Sequence, residues 1–386
     1  MKRRFVFLAL TVTVCLLFAF TATILGCATP PPQLTGPAPS GPIPRVYFIR
    51  DITPETLMRA YKAVGVELYR NVAVKISTGE PDSYFLRPEL IGDLVRFLDG
   101  TIVETNTALP PTRRFLTSDH MALIQNHGYN AISRGGAAVI LDAPGREGVT
   151  ATDTQSLSHL DIALPVRGGT LMTYNYVGAR TFEFQDWLIL SHFKGHRVSG
   201  FGGAVKNLAI GIASSYGKQI IHSGGAIPPR TLATGMMGTP VALFQDAMAE
   251  AAKSVVDAIK ERGGRIVYIN VLNNLSIECD CFPGPLPPPE IADIGILVSL
   301  CPVAIDQASV DLVHHSHNAG APSGGWGTMP HPGGPGFPAA VVGTPIAAGN
   351  APLLVARMES QLGQRALNHA VFIGLGRTDY ELIILE

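Results

Sequence analysis

The sequence has few cysteines and few charged residues for its length. Five cysteines occur in 386 residues, and charged side chains make up 15% of the chain. Cys15 and Cys27 fall in or directly after an apolar amino-terminal segment, so three cysteines remain for the rest of the chain. Three is an odd number, which excludes a complete disulfide framework. The net charge of −1 lacks the basic excess typical of nucleic-acid-binding proteins, and we expect no nucleic-acid partner.

Several motifs with known chemistry are also missing. No G-x-S-x-G hydrolase elbow is present. The glycines of the segment 200–203 lack the last glycine of the dinucleotide fingerprint, because Val205 stands in its place. The segment 211–218 has one residue too many for a P-loop, and Gln219 replaces the serine or threonine that would meet magnesium. The usual nucleotide-binding and ester-hydrolase signatures are therefore excluded.

Residues 1–26 are typical of a bacterial lipoprotein signal. Three basic residues at positions 2–4 precede an apolar run that ends in Leu25-Gly26-Cys27. This pattern predicts cleavage before Cys27, lipidation of that cysteine and export, so that the protein is lipid-anchored to a bacterial membrane in the periplasm or at the cell surface. A single transmembrane anchor is the alternative, since the run is long enough to span a bilayer. Cleavage would remove three basic residues and leave a formal charge of −4.

The remaining chain divides into a tether and one large body. Residues 27–44 are rich in proline and lack periodicity, which predicts a semi-extended tether. From Arg45 onward, apolar strand-like runs alternate with helical runs, a pattern typical of parallel βαβ units. We predict one α/β domain over residues 45–386, with a mixed, largely parallel sheet and flanking helices. Its functional sites should lie at the carboxyl ends of strands.

Local signals also predict individual helices. Thr53 followed by Pro54 indicates a helix start, because threonine caps the first turn and proline suits the first helical position. The segment 244–262 has small or apolar residues at helical spacing and stops at two glycines, which predicts an amphipathic helix. One last helix is predicted over Pro352–Phe372. The segment 314–338 is rich in glycine, proline and histidine and is interpreted as a long exposed loop.

Metal-binding residue types follow three predicted strands. These residues are Cys279, Cys281, Cys301, His192 and His196. If adjacent strands bring them together, thiolate and imidazole ligands suit zinc or an iron–sulfur cluster rather than calcium or magnesium. A C-x-C pair rarely closes on itself, because the ring is small, so the alternative is one disulfide from Cys301 to either partner. The two histidines lack the glutamate of a zinc protease, and we expect them in a turn.

Polar residues at the ends of two earlier strand-like runs, and others in the segment 187–225, indicate a site for a small anion. These residues are Lys75, Glu104, Asn106, Lys206 and His222. Lys206 lies at a predicted helix start, where free backbone N–H groups favour an anion. Simple packing at that helix start is the alternative. A small anionic ligand or substrate is therefore an expected partner.

Several longer runs resemble one known family. They include VAVKISTGE from Val72, LSHFKGHRVSGFGGAVKN from Leu190, YINVLNNLSIECDC from Tyr268 and DIGILVSLCPVAIDQ from Asp293. In order and over nearly the whole body, the chain resembles the iron–sulfur center protein branch of domain-of-unknown-function family 362. The resemblance implies an α/β fold and an iron–sulfur label, without an established reaction.

The chain also departs from that family pattern. The usual Asp-Pro-Val-Ala is replaced by a run that begins with Cys301, and the four-cysteine run of longer relatives is absent, so the ligand count does not support an iron–sulfur cluster. The segment 314–338 is interpreted as an insertion. Two hypotheses follow: an exported metal-binding protein with redox or other chemistry, and a surface lipoprotein that serves as a binding or assembly module with structural cysteines. Both are compatible with a homo-oligomer, and neither decides whether the protein is an enzyme.

Overall fold

The computed structural model describes residues 41–108, 111–142, 160–230, 235–289, 291–318 and 353–386. The predicted signal, Cys27 and nearly all of the tether lie outside these residues, as does most of the segment 314–338. The described residues belong to one unit, Gly36–Glu386. None of their helices combines the length and the apolar character needed to cross a membrane.

Most strands of the described residues form one large sheet. In chain order the strands are β1 (Arg45–Ile49), β2 (Ala73–Lys75), β3 (Thr101–Glu104), β4 (Val139–Ile140), β5 (Ile162–Pro165), β6 (Tyr174–Val177), β7 (Trp187–His192), β8 (Lys194–His196), β9 (Gly200–Gly202), β10 (Ile266–Leu272), β11 (Gly295–Ser299) and β12 (Glu381–Ile384). The large sheet has the order β12-β1-β11-β10-β7-β2-β3-β4, while β5–β6 and β8–β9 are small antiparallel pairs. Within the large sheet, only β11 runs antiparallel to its neighbours. The prediction of a mixed, largely parallel sheet is confirmed.

Helices flank this sheet. In the described residues they are α1 (Pro54–Ala63), α2 (Pro88–Phe97), α3 (Thr117–Asn126), α4 (Ala204–Ile212), α5 (Ser215–His222), α6 (Val241–Glu261), α7 (Pro302–Asn318), α8 (Leu353–Ser360) and α9 (Gly363–Phe372). Thr53 caps α1 as predicted, since its hydroxyl accepts from the Thr56 N–H at 3.2 Å. The single helix predicted over 352–372 is wrong. It is divided between α8 and α9 by Leu362, whose φ of 52° is left-handed and ends a helical path.

Both faces of the sheet are buried, which explains why its strands are apolar without strict alternation. Along β7, Leu188 and Leu190 pack in the cluster that contains residues of α1 and α2. Trp187 and Ile189 point to the opposite face and pack in the cluster that contains residues of α4, α6 and α7. Parallel strands covered by helices on both sides are expected to read as nearly continuous apolar runs. The polar residues of these strands lie mainly near their carboxyl ends, while the buried Asn270 inside β10 donates to Asp306 and Ser309 of α7.

Candidate functional site

A cavity of about 260 Å³ lies at the carboxyl ends of β2, β3 and β7. Helices α4 and α5, the β8–β9 pair and the segment after β10 complete its wall. The predicted site residues that line it are Lys75, Glu104, His192, His196, Lys206, His222, Cys279 and Cys281. Open α/β sheets bind ligands outside the carboxyl ends of their strands, and this cavity occupies that position.

Cys301 is not part of this site, so its inclusion in the predicted metal ligand set is wrong. It follows β11, and β11 runs antiparallel to β10. The carboxyl end of β11 is therefore at the edge of the sheet opposite to the cavity. Cys301 is a free, partly buried cysteine there, next to Gly376.

Asn106 has a positioning role and does not line the cavity. Its N–H donates to Asp142 Oδ2 at 2.8 Å, and its side-chain amide donates to Thr117 Oγ1 at 2.7 Å. Its Oδ1 accepts from His120 Nδ1 at 3.1 Å. The predicted contact of Asn106 with an anion is therefore wrong, because all three polar groups are held by neighbouring residues.

Cys279 and Cys281 form a disulfide with each other, with an S–S distance of 2.03 Å. The prediction that this pair does not close on itself is wrong, and so is the alternative disulfide with Cys301. The turn between the two cysteines is fixed from outside, since the carbonyl of Asp280 accepts from the Glu80 N–H at 2.7 Å. Tertiary contacts thus hold the pair in a conformation that the isolated segment would rarely adopt.

Gly195 brings the cysteine segment against the β8–β9 pair. Its N–H donates to the Ser276 carbonyl at 2.8 Å, and a Cβ at this position would overlap the Ile277 carbonyl. Only glycine permits this approach of the two backbones. As a result His196 lies beside Cys279 and Cys281, and the ligand atoms of these three residues lie within 4.8 Å of one another. The prediction that both histidines lie in a turn is wrong, because His192 ends β7 and His196 ends β8.

Glu104 is the centre of a buried ion-pair group at one wall. Its carboxylate pairs with Lys75 Nζ at 2.8 Å and with Arg114 Nη1 at 3.2 Å, and it accepts from the N–H groups of Thr78 and Thr105. Burial by itself would raise the pKa of Glu104, but Lys75 and Arg114 outweigh it and hold the pKa at about 2. Lys75 is therefore neutralised by a carboxylate and is a weaker anion ligand than the sequence suggests.

Asp280 forms a second buried group with Lys194 and His192, which line the cavity. Its carboxylate contacts Lys194 Nζ and lies 3.1 Å from His192 Nδ1. His192 Nε2 donates to the Asn273 carbonyl at 2.6 Å and Nδ1 accepts from Lys194 Nζ at 3.3 Å, so both ring nitrogens are occupied. Burial, reinforced by Lys194, lowers the pKa of His192 well below its usual value. His192 is thus a neutral structural link and lies outside the group of closely placed metal-ligand atoms.

Lys206 projects from the first turn of α4 and lines the cavity. In the part of the chain that the structure describes, no carboxylate or other acceptor forms a hydrogen bond with its Nζ. Burial, with Arg114 and Lys75 nearby, lowers the pKa of Lys206 to about 7. The predicted free N–H groups at this helix start are already used, because Asp306 accepts from Ala204 at 2.7 Å and from Val205 at 2.9 Å. The anion-binding feature of α4 is therefore the lysine rather than the helix end.

Lys218 and His222 form the wall on α5. Lys218 Nζ donates to Thr105 Oγ1 and, at 2.7 Å, to the Ala213 carbonyl, and its pKa is lowered by burial to about 8. Its acceptors are neutral, and no carboxylate of the described residues forms an ion pair with it. His222 Nδ1 donates to the Lys218 carbonyl at 2.7 Å, which leaves Nε2 as an acceptor. Burial lowers the pKa of His222 to about 4, so this ring is neutral near pH 7.

The predicted set of site residues did not include several residues of these groups: Glu80, Arg114, His120, Asp142, Lys194, Asn207, Lys218 and Asp280. Lys194 and Asp280 fall within HFKGH and ECDC, between residues that were singled out, so a search for charged neighbours of those residues would have found them. Arg114 stands in a segment without any diagnostic spacing, and Lys218 was considered only as the lysine of an incomplete P-loop. Their roles depend on contacts with residues far away in the chain, which no local pattern indicates.

Fold and site together define an α/β protein with a cation-lined cavity at the carboxyl edge of a mostly parallel sheet. The family model described as "Domain of unknown function (DUF362)" matches residues 72–311, more than half of the chain. The chain therefore belongs to this family, which confirms the resemblance found in the sequence. The presence of an iron–sulfur cluster in this protein stays a prediction.

The chain was also compared with curated proteins and with solved structures. No curated protein matches the chain. The chain is similar to the lactate racemase apoprotein from Thermoanaerobacterium thermosaccharolyticum, with 13% identity and a TM-score of 0.34. The similarity covers 63% of this chain and 52% of the racemase chain, so this chain spans about half the length of that protein.

Proposed function

We propose that this protein binds a small dianion in the cavity. The observation that carries the proposal is the presence of two buried or partly buried lysines, Lys206 and Lys218, that form no ion pair with a carboxylate of the described residues; Asp142 and Glu104 attract Lys218 without forming an ion pair with it. The cavity's other cations, Lys75, Lys194, Arg114 and Arg197, each pair with a carboxylate. Cations that lack a partner in a desolvated site favour a ligand that supplies the missing negative charge.

The most direct probe of the proposed site is glutarate, a dianion without other reactive groups. We expect glutarate to bind the purified full chain, as measured by calorimetry, and Lys206→Ala to weaken binding by about 1.5–3 kcal/mol, because a charge-assisted contact is lost. Affinity should fall as the pH rises from 6 to 8. Lys206 has a pKa of about 7, and only its protonated form attracts the anion.

The control for this experiment is Lys62→Ala, which removes an exposed lysine of α1 far from the cavity in the fold. It should leave glutarate affinity unchanged. Equal binding by the wild type and by the Lys206→Ala variant, or no binding of glutarate and inorganic phosphate at all, would rule out the proposal.

We further propose that the reduced protein binds a metal ion through Cys279, Cys281 and His196. The closeness of their ligand atoms supports this, and two thiolates with one imidazole make three of the four ligands of a tetrahedral zinc site. The disulfide form does not fit a metal, because its sulfurs carry no thiolate. An iron–sulfur cluster does not fit either, because it needs four ligands and Cys301 is at the other edge.

Metal uptake should therefore depend on reduction of the Cys279–Cys281 disulfide and on a change in the hydrogen bonding or protonation of the His196 ring. In the disulfide form His196 Nδ1 accepts from the N–H groups of Val198 and Ser199 at 3.1 and 3.0 Å, which leaves the ring proton on Nε2. We expect about one zinc per chain after reduction without oxygen, measured by elemental analysis, and none in the oxidised protein. The double variant Cys279→Ser/Cys281→Ser should bind none, whereas Cys301→Ser should bind as the wild type. Equal zinc content in the wild type and the double variant would contradict this assignment.

We also propose that the protein is an exported lipoprotein anchored through Cys27, on the strength of the sequence ILGC at residues 24–27. Cells fed a labelled fatty acid should label the wild type and fail to label Cys27→Ala. A membrane-bound, unlabelled wild type would instead indicate an uncleaved transmembrane anchor. The alternative, a surface lipoprotein that serves as a binding or assembly module, stays a prediction.

A further inference from the structure

The four lysines of the cavity differ in their contacts. Lys75 is held by Glu104, Asn207 and the Ile76 carbonyl, and Lys194 is held by Asp280. Lys218 donates to a hydroxyl and to a carbonyl. Within the described part of the chain, Lys206 alone among these four has no recorded acceptor. A lysine without an acceptor is free to present its nitrogen to a ligand.

Lys206 is also rigidly placed. Its helix begins at Ala204, where the Asp306 carboxylate accepts from the first two N–H groups, and Gly203 leaves the space that this carboxylate occupies. The next residue, Asn207, donates to the Lys75 carbonyl and to Ser191 Oγ at the ends of β2 and β7. These contacts fix the first turn of α4 against the strand ends. The lysine stem therefore starts from a fixed point beside the cavity.

We propose that Lys206 forms an imine with a 2-oxo dicarboxylate bound in this cavity. The inference rests on the proposed dianion site and adds a covalent step to it. The Nζ lone pair adds to the carbonyl carbon while the C=O π pair moves to oxygen, and one proton passes from nitrogen to that oxygen. The second nitrogen proton leaves with the hydroxyl group as water. Loss of water then gives the C=N bond, so one amine and one ketone yield one imine and one water, and no oxidant or reductant is needed.

The electrostatics of the site support this step. An amine attacks a carbonyl only in its neutral form, and desolvation near other cations is the usual means of providing neutral lysine near pH 7. Lys206 has these surroundings, and its pKa is about 7. Lys218, with a pKa of about 8, remains mostly cationic at neutral pH and provides charge for a carboxylate of the ligand.

The experiment compares 2-oxoglutarate with glutarate, which has the same two carboxylates and no carbonyl. The purified full chain is treated with each compound and then with sodium borohydride, which reduces an imine to a stable secondary amine. We expect one adduct per chain with 2-oxoglutarate, located by peptide mass spectrometry on Lys206, and none with glutarate. Lys206→Arg, which keeps the charge but has no primary amine, should lose the adduct, while the exposed control Lys62→Arg should keep it.

The outcomes separate the two proposals. If glutarate binds but the wild type forms no adduct with 2-oxoglutarate, or if Lys206→Arg forms as much adduct as the wild type, the imine is ruled out and the dianion site stands. If an adduct forms on Lys206 without glutarate binding, the imine stands and the dianion site fails. If neither binding nor adduct is seen, both are wrong.

Discussion

Replacing Glu104 by glutamine is expected to destabilise the protein by about 3–5 kcal/mol, because it leaves buried cations without their carboxylate. Glu104 accepts from four donors, and two of these belong to Lys75 and Arg114. A glutamine amide has one oxygen and would present N–H groups to the remaining donors. Urea unfolding at neutral pH measures the effect. A loss below 1 kcal/mol would show that the ion-pair group adds little.

The low pKa of Glu104 also predicts how the free energy of unfolding depends on pH. The pKa of Glu104 is about 2 in the folded protein, against an ordinary value of 4.5. A folded pKa below the unfolded one means that the charge stabilises the fold above pH 4.5, and that this contribution is lost as the pH falls from 4.5 to 2. The loss amounts to roughly 3 kcal/mol. In Glu104→Gln this part of the acid dependence should disappear, and identical pH profiles of variant and wild type would contradict it.

A matched control is Glu381→Gln. Glu381 pairs with Arg45 at 3.1 Å, but both side chains are more than half exposed. Exposed ion pairs contribute about 0–1 kcal/mol, because water and salt screen them. Both substitutions remove a carboxylate from an ion pair. A larger loss of stability in Glu104→Gln than in Glu381→Gln therefore points to burial as the cause.

The second large effect is expected for Asp280→Asn, which should cost about 3–5 kcal/mol for the same physical reason. Asp280 is fully buried, and the Lys194 that it contacts is 5% exposed. Without the carboxylate, Lys194 must remain charged without a partner or lose its proton. Because Asp280 stands between the two cysteines, thermal unfolding should be measured with the disulfide intact.

A double variant tests whether the unpaired charge is the cause. Removing both partners, as in Lys194→Met with Asp280→Asn, should restore part of the lost stability, because no buried charge is then left alone. Asp93→Asn serves as the exposed control, since its pair with Arg96 is on the surface. If the double variant were no more stable than Asp280→Asn, the pair would not be the source of the loss.

Local signals were sufficient for much of the fold. The cap at Thr53, the helix that ends before Gly263 and the alternation of strands and helices are all found as predicted. These features depend on contacts within one turn or one strand, so they can be predicted from residues that are close together in the sequence. The division of the last helix at Leu362 was missed, because a leucine with left-handed backbone has no sequence signature.

The candidate site was predictable only in outline. Residue type and position after a strand were enough to select Lys75, Glu104, Lys206 and the C-x-C pair, which do line the cavity. Pairing was not predictable, because Lys75 meets Glu104 and Lys194 meets Asp280 only after the strands are placed side by side. Which lysine lacks a partner is therefore a property of the tertiary structure.

By itself, the sequence determined an α/β domain whose polar and charged residues gather after apolar strands, since periodicity and composition are local quantities. Strand order and strand direction were decided by tertiary packing. The antiparallel placement of β11 carries Cys301 away from Cys279 and Cys281, and the approach of Gly195 to Ile277 brings His196 beside them. Both results depend on which surfaces of distant segments pack together, and local sequence patterns do not predict that packing.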